Sequence, residues 1–225
     1  MKRTLLIFLA SIATCSGLSA QCNEYPPLKE GTLWEWTMYD KKGKEAGKTI
    51  QEVTAYSKTA DGYELTLNVQ HQDKKGEKSP PMEMTMACRN GAIYVDMKNF
   101  VPAEYLSGED GEVTIKVEGD NLSYPVDMKA GDLLPDASIK ISLNDMMNMT
   151  INIRNRKVEG QETITTPAGT FDSYIISQTT ETKMVVTMAF DSKDWYVPGI
   201  GSVRSESYKK GKLQSYSLLT RFDKK

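Results

Sequence analysis

The chain has 225 residues, 26% of them charged, with 28 Lys and Arg against 30 Asp and Glu and a formal charge of -2. A balance this close to neutral argues against nucleic acid or an anionic membrane surface as a partner. The length suits one sizeable core, and the single histidine leaves little for metal or acid–base chemistry.

The chain opens Met1-Lys2-Arg3, runs through an apolar stretch from Leu5 to Ala13 and reaches the small residues of Ser16-Gly17-Leu18-Ser19-Ala20. That is the order of a secretory signal peptide, with cleavage expected after Ala20. The apolar stretch is about half of the roughly 20 residues a membrane span needs, and no second such run follows. A lipid anchor needs a cysteine preceded by a small residue; Cys15 follows Thr14 and Cys22 follows Gln21, so a soluble periplasmic or secreted product is favoured over a lipoprotein. Removing residues 1–20 takes away Lys2 and Arg3 and no acid, so the charge moves from -2 to -4. The remaining cysteines are Cys22 and Cys88, and in an oxidising compartment they are expected to form one disulfide.

From Thr32 onward the apolar period is two, the mark of half-buried strands. Trp34, Trp36 and Met38 share a face, DKKGK at 40–44 turns the chain, and Ile50 and Val53 lie on the return strand. DG at 61–62 launches Tyr63, Leu65, Leu67, Val69 and His71 on one face, and DKKGE at 73–77 turns the chain into PMEMTMAC. There Met82, Met84, Met86 and Cys88 share one parity, which predicts a buried Cys88 beside the methionines. NGA at 90–92 leads to Ile93, and residues 98–106 read as a short helix or irregular crossing.

Further alternations follow at Val113–Val117, at Ile139–Leu143, and at Met147, Met149, Ile151 and Ile153. A hairpin with arms Val158–Thr165 and Thr170–Glu181 is joined by TPAG, where Pro167 presets its φ and Gly169 accepts a positive one. Met184, Val186, Met188 and Phe190 continue the alternation, and two last strands flank KKGK at 209–212. Ten or so short strands linked by tight turns predict an all-β protein, an antiparallel barrel-like or strongly curved sheet built from successive hairpins. A single domain over 21–225 is expected, with two loose halves meeting near 119–135.

Residues that could carry chemistry are few. His71 ends an apolar strand face and has no partner for a triad, and zinc motifs are absent. GIGSVR at 199–204 lacks the third glycine of a dinucleotide site and leads into a strand, so it reads as a turn. Asp132 and Asp136 flank a loop and read as solvated turn acids. The methionines of the mature chain cluster on three strands, and Met82, Met84, Met86, Met147, Met149, Met184 and Met188 have three readings. They are a soft copper site, plain core, or the wall of a cavity for an apolar ligand.

The stretches EGTLWEWTMYDKKGKEAG, NRKVEGQETITTPAGTF and WYVPGIGSVRSESYKKGKLQSY resemble the TapB-like exported proteins of Gram-negative bacteria, relatives of a widespread β-rich domain of unknown function. The resemblance covers nearly all of the mature chain, including Cys22 and Cys88. It implies an exported, barrel-like or curved-sheet domain and supplies no activity, cofactor or catalytic residue. The leading expectation is a non-enzymatic periplasmic β protein that binds a lipid, another hydrophobic ligand or an envelope component on a partly Met-lined concave face. The alternative is a structural or assembly partner at the outer membrane with a fully packed core.

Overall fold

The computed structural model describes Cys22 and residues 28–97, 115–143 and 147–225. The signal peptide and the crossing expected at 98–106 lie outside the described residues. Thirteen strands follow one another: β1 (Leu33–Asp40), β2 (Glu45–Lys58), β3 (Gly62–Asp73), β4 (Met82–Arg89), β5 (Ala92–Val95), β6 (Ile115–Gly119), β7 (Leu122–Pro125), β8 (Ala137–Leu143), β9 (Met147–Thr166), β10 (Gly169–Lys183), β11 (Thr187–Val197), β12 (Gly201–Lys209) and β13 (Lys212–Asp223). All belong to one antiparallel sheet of order β6-β8-β9-β10-β11-β12-β13-β1-β2-β3-β4-β5-β7.

That order forces the curvature. β6 and β7 occupy opposite edges of the sheet, yet only Asp120 and Asn121 separate them in the chain. Laid flat, thirteen strands at about 4.8 Å spacing would put the edges about 58 Å apart, whereas the three Cα–Cα steps from Gly119 to Leu122 reach at most about 11 Å. The sheet must therefore curl until its edges meet. Gly119 sits at the joint with φ +140°, and a Cβ there would lie 2.1 Å from the Ser138 carbonyl oxygen, so the close approach of β6 to β8 requires glycine. The backbone ladder itself stays open, because β6 and β7 do not pair with each other.

Two hydrophobic clusters fill the curl. The first joins Trp34, Val53, Leu65, Leu67, Val69, Met84 and Ile93 with Val203 and Leu219 from the far side. The second joins Leu122 and Tyr124 of β7 with Ile139, Ile141, Met149, Ile151, Ile153 and Ile176, so the β7 edge shares one core with β8, the neighbour of the opposite edge strand. Cys22 and Cys88 form a disulfide within the first cluster, with Cα atoms 5.7 Å apart and Cys88 fully buried.

Two expectations about strands are corrected. The Met147–Ile153 and Val158–Thr165 segments are one 20-residue strand, β9. Asn155, at φ 55°, places a bulge between them, and a bulge shifts side chains between faces without ending the strand. The alternation Met184–Phe190 is broken at its start: residues 184–186 form the β10–β11 turn, and only Met188 and Phe190 lie on a strand, in β11. Apolar alternation normally reports a face covered by a neighbour, and here Val185 and Val186 are exposed at the tip.

The disulfide closes a loop with a sequence separation of 66, for which chain entropy gives about 4 kcal/mol. Reduction, or the Cys22→Ser/Cys88→Ser pair, is expected to lower the melting temperature by roughly 10 °C for a domain of this size. A thermal melt with and without reductant checks this, and coincident curves would refute it.

Candidate functional site

The concave face holds a cavity of about 370 Å³. Trp36, Met38, Leu67, Met86, Val95, Leu122 and Ile200 supply its apolar wall, Tyr124 and Tyr196 an aromatic one, and Thr49, Gln51, Ser202, Ser205 and Ser217 its polar groups. The wall therefore draws on β1, β2, β3, β4, β5, β7, β11, β12 and β13, which only a curled sheet brings around one space. Trp36 is fixed by its Nε1–H donating to the Ser202 carbonyl at 2.7 Å and by stacking at 6.5 Å on the buried Trp34. Tyr124 from the β7 edge stacks on Tyr196 at 4.3 Å with an 8° interplanar angle.

Behind the tyrosines lies a buried polar chain. The bulge that places Asn155 in the left-handed region sets Arg156 opposite Gln178, the residue skipped in the β9–β10 register, and both point inward. Arg156 is 1% exposed; its Nε donates to Gln178 Oε1 at 3.1 Å, and its Nη1 donates to the carbonyls of Ser123 at 3.0 Å and Pro135 at 2.7 Å. Gln178 Nε2 donates to Asp194 Oδ2 at 3.1 Å, and the cavity-lining Ser205 donates to Asp194 Oδ1. The Arg156 guanidinium also lies 4.7 Å from the Tyr124 ring. Burial pushes the Tyr124 hydroxyl up to about 12 and raises the Asp194 carboxyl above its ordinary range, Ser205 and Ser192 opposing the latter by hydrogen bonding. The chain Arg156–Gln178–Asp194–Ser205 thus links the β7 edge to the cavity floor through four neighbouring strands.

The methionines are distributed unequally. Met86 lines the cavity, joined by Met38 from β1. Met84 and Met149 are fully buried, one in each core cluster, while Met82 and Met184 are partly buried and pack against the first and second clusters respectively. Met188 is exposed, and the Met147 side chain lies outside the described residues. His71 is half-buried, its Nδ1 3.1 Å from the hydroxyl of the cavity residue Thr49. Asp132 and Asp136 are exposed, and Asp132 accepts the Lys129 backbone N–H. Among the described residues no group of three or more His, Cys, Asp or Glu is placed to hold a metal ion, and no helix is long and apolar enough to cross a membrane.

Sequence reasoning missed the Arg156 chain. Its one local signal was Asn155 followed by a charged residue inside an otherwise strand-like run, since asparagine tolerates the left-handed conformation a bulge requires.

The profile of the DUF3108-like family matches residues 29–219. No curated protein matches the chain. A crystal structure of a protein from Bacteroides fragilis, inferred to be exported and described as having a YmcC-like fold, superposes with a TM-score of 0.75 at 26% identity, over 88% of this chain and 98% of that one. A protein from Parabacteroides distasonis inferred to be a lipoprotein superposes with a TM-score of 0.74 at 25% identity, over 88% and 97%.

Replacing Arg156 with Ala leaves Asp194 and Gln178 buried without their cation and should cost about 3–5 kcal/mol; a denaturant midpoint equal to wild type would refute the network. His71 has its pKa lowered by burial from 6.5, so the unfolded chain takes up the proton first and stability falls as pH drops below 6.5. The wild-type denaturant midpoint should decline across that window more steeply than that of His71→Gln, and parallel profiles would count against the assignment.

Proposed function

This chain belongs to the DUF3108-like family, and we propose that it is an exported, non-enzymatic β protein that holds an apolar ligand in the cavity of its concave face. The observation that carries the reading is the cavity itself. Its volume of about 370 Å³ falls within the range of small-molecule sites, and its mostly apolar lining with a few convergent hydroxyls matches their composition. A lipid arm or small amphiphile would lay its hydrocarbon against Met86, Leu67, Val95 and Leu122 and its polar end towards Ser202, Ser205 and Ser217. Methionine suits such a wall because its unbranched thioether adapts to irregular apolar shapes.

Export is supported by the N-terminal signal pattern, by the disulfide and by the descriptions of the two structural relatives. A soluble periplasmic or secreted form is favoured because the Cys22 sulfur, committed to Cys88, is not free to carry a thioether-linked lipid, and Cys15, the other cysteine that could be an anchor, follows Thr14, larger than the small residue an anchor site prefers. The narrower kinship with the TapB-like proteins rests on TPAGTF and PGIGSVRSE, which here form the β9–β10 and β11–β12 turns. The alternative, an envelope assembly partner with a packed core, draws its support from Met84 and Met149, which are wholly buried.

Titration with a fluorescent fatty acid, followed through the fatty acid's own emission, is expected to saturate at one ligand per chain. Ser217→Phe, which fills the cavity, should weaken that binding by at least about tenfold. Absence of saturable binding, together with no co-purifying small molecule in native mass spectrometry, would favour the assembly partner instead.

A further inference from the structure

The two rims of the curled sheet differ sharply in charge. The registers Tyr39↔Glu45, Asp40↔Ser215, Gly47↔Asp73, Lys209↔Lys212, Asp191↔Tyr208 and Lys183↔Thr187 place the β1–β2, β3–β4, β12–β13 and β10–β11 turns on one rim. Segments 40–45, 73–78, 183–188 and 209–212 hold ten lysines and four carboxylates, in a chain whose net charge is -2. All ten lysines are exposed. Counted with the same flanking residues, the turns 58–62, 89–92, 166–169 and 197–201 of the opposite rim carry Lys58, Asp61 and Arg89, and the 126–136 connection that leaves this rim beside Gly91 adds Lys129 against Asp127, Asp132 and Asp136.

The two Asp-Lys-Lys-Gly turns are built alike. Asp40 Oδ1 accepts the backbone N–H groups of Lys42 and Lys44 at 2.8 and 3.0 Å, and Asp73 Oδ1 accepts those of Lys75 and Glu77 at 2.8 and 2.9 Å. Each carboxylate is thereby folded back into its turn, while the lysines on the same turn stay exposed. On the β12 side the β10–β11 hairpin overhangs the lysine-rich rim: β11 meets β12 only from Asp191, so residues 184–190 extend past β12, while β9 runs beside β10 as far as Lys183↔Thr150. The hairpin tip is apolar, with Val185 100%, Val186 69% and Met188 44% exposed. Lys209 lies behind it, 5.3 Å from the Phe190 ring.

We propose that this rim docks the protein on a bilayer surface containing anionic phospholipid. Val185 and Val186 enter the boundary between headgroups and acyl chains, and the surrounding ammonium groups meet the phosphates. Both parts are needed and both are present, since an apolar tip supplies area and a lysine ring supplies attraction. A second copy of the chain is a poor occupant, because two such rims would bring ten lysines against ten. The inference is independent of whether the cavity holds a ligand.

Co-sedimentation of the mature chain, residues 21–225, with vesicles of phosphatidylcholine alone, or of phosphatidylcholine and phosphatidylglycerol in equal parts, tests it. Binding is expected to be at least about tenfold tighter to the mixed vesicles and to weaken as salt is raised. Val185→Ser/Val186→Ser should lose about tenfold and Lys209→Glu/Lys210→Glu about 30-fold, with unchanged melting temperatures because all four side chains are exposed. Failure to bind mixed vesicles would overturn the proposal, as would equal binding by the valine variant. So would a concentration-dependent dimer in analytical ultracentrifugation that the valine variant abolishes.

Discussion

The link Asp120–Asn121 is the constraint on which the rest of this structure depends. Two residues join strands from opposite edges of a thirteen-stranded sheet, and a chain cannot stretch across the tens of ångströms a flat sheet would demand. The sheet is strongly curled for that reason, beyond the twist any antiparallel sheet acquires. Because β6 and β7 remain unpaired with each other, side chains hold the edges together in place of a backbone ladder. Leu122 and Tyr124 of β7 share a core with Ile139 and Ile141 of β8, and Arg156 reaches across from β9 to the Ser123 carbonyl.

This manner of closing leaves the interior uneven. Where large aliphatic side chains face one another, the curl is filled, as around Leu65 and Val69 or around Ile141 and Ile153. Between the two clusters the inward residues of β12 and β13 include Ser202, Ser205 and Ser217, too small to meet Met86 and Leu67 across the gap, and a cavity remains. One of these serines, Ser205, links it to the buried Arg156–Gln178–Asp194 chain. A buried cation and carboxylate joined through an amide are a weak source of net stability, but removing either leaves the other stranded.

Much of the strand layout was legible in the residues, because a period of two and turn chemistry act over a few positions. Tyr63, Leu65, Leu67 and Val69 read as one buried face and are one. The DKKGK, DKKGE and KKGK motifs read as turns and are turns. What local reasoning lost were places where the backbone departs from the regular pleat. Asn155 inserts a bulge that merges two expected strands and turns Arg156 inward. The apolar run at 184–190 looked like covered strand because alternation records hydrophobicity and not the neighbour that would bury it.

The sequence by itself determined the fold class, the hairpin succession and the parity that sets Cys88 beside the methionines, since each follows from interactions between residues near in the chain or on one strand. Only the tertiary structure decided which methionine reaches a cavity and which is core, because that depends on the size of the side chain facing it from a strand more than a hundred residues away. It also decided what the small net charge means. In a meandering sheet alternate turns fall on the same rim, so lysines dispersed through the chain gather at one end, a separation that a formal charge of -2 does not reveal.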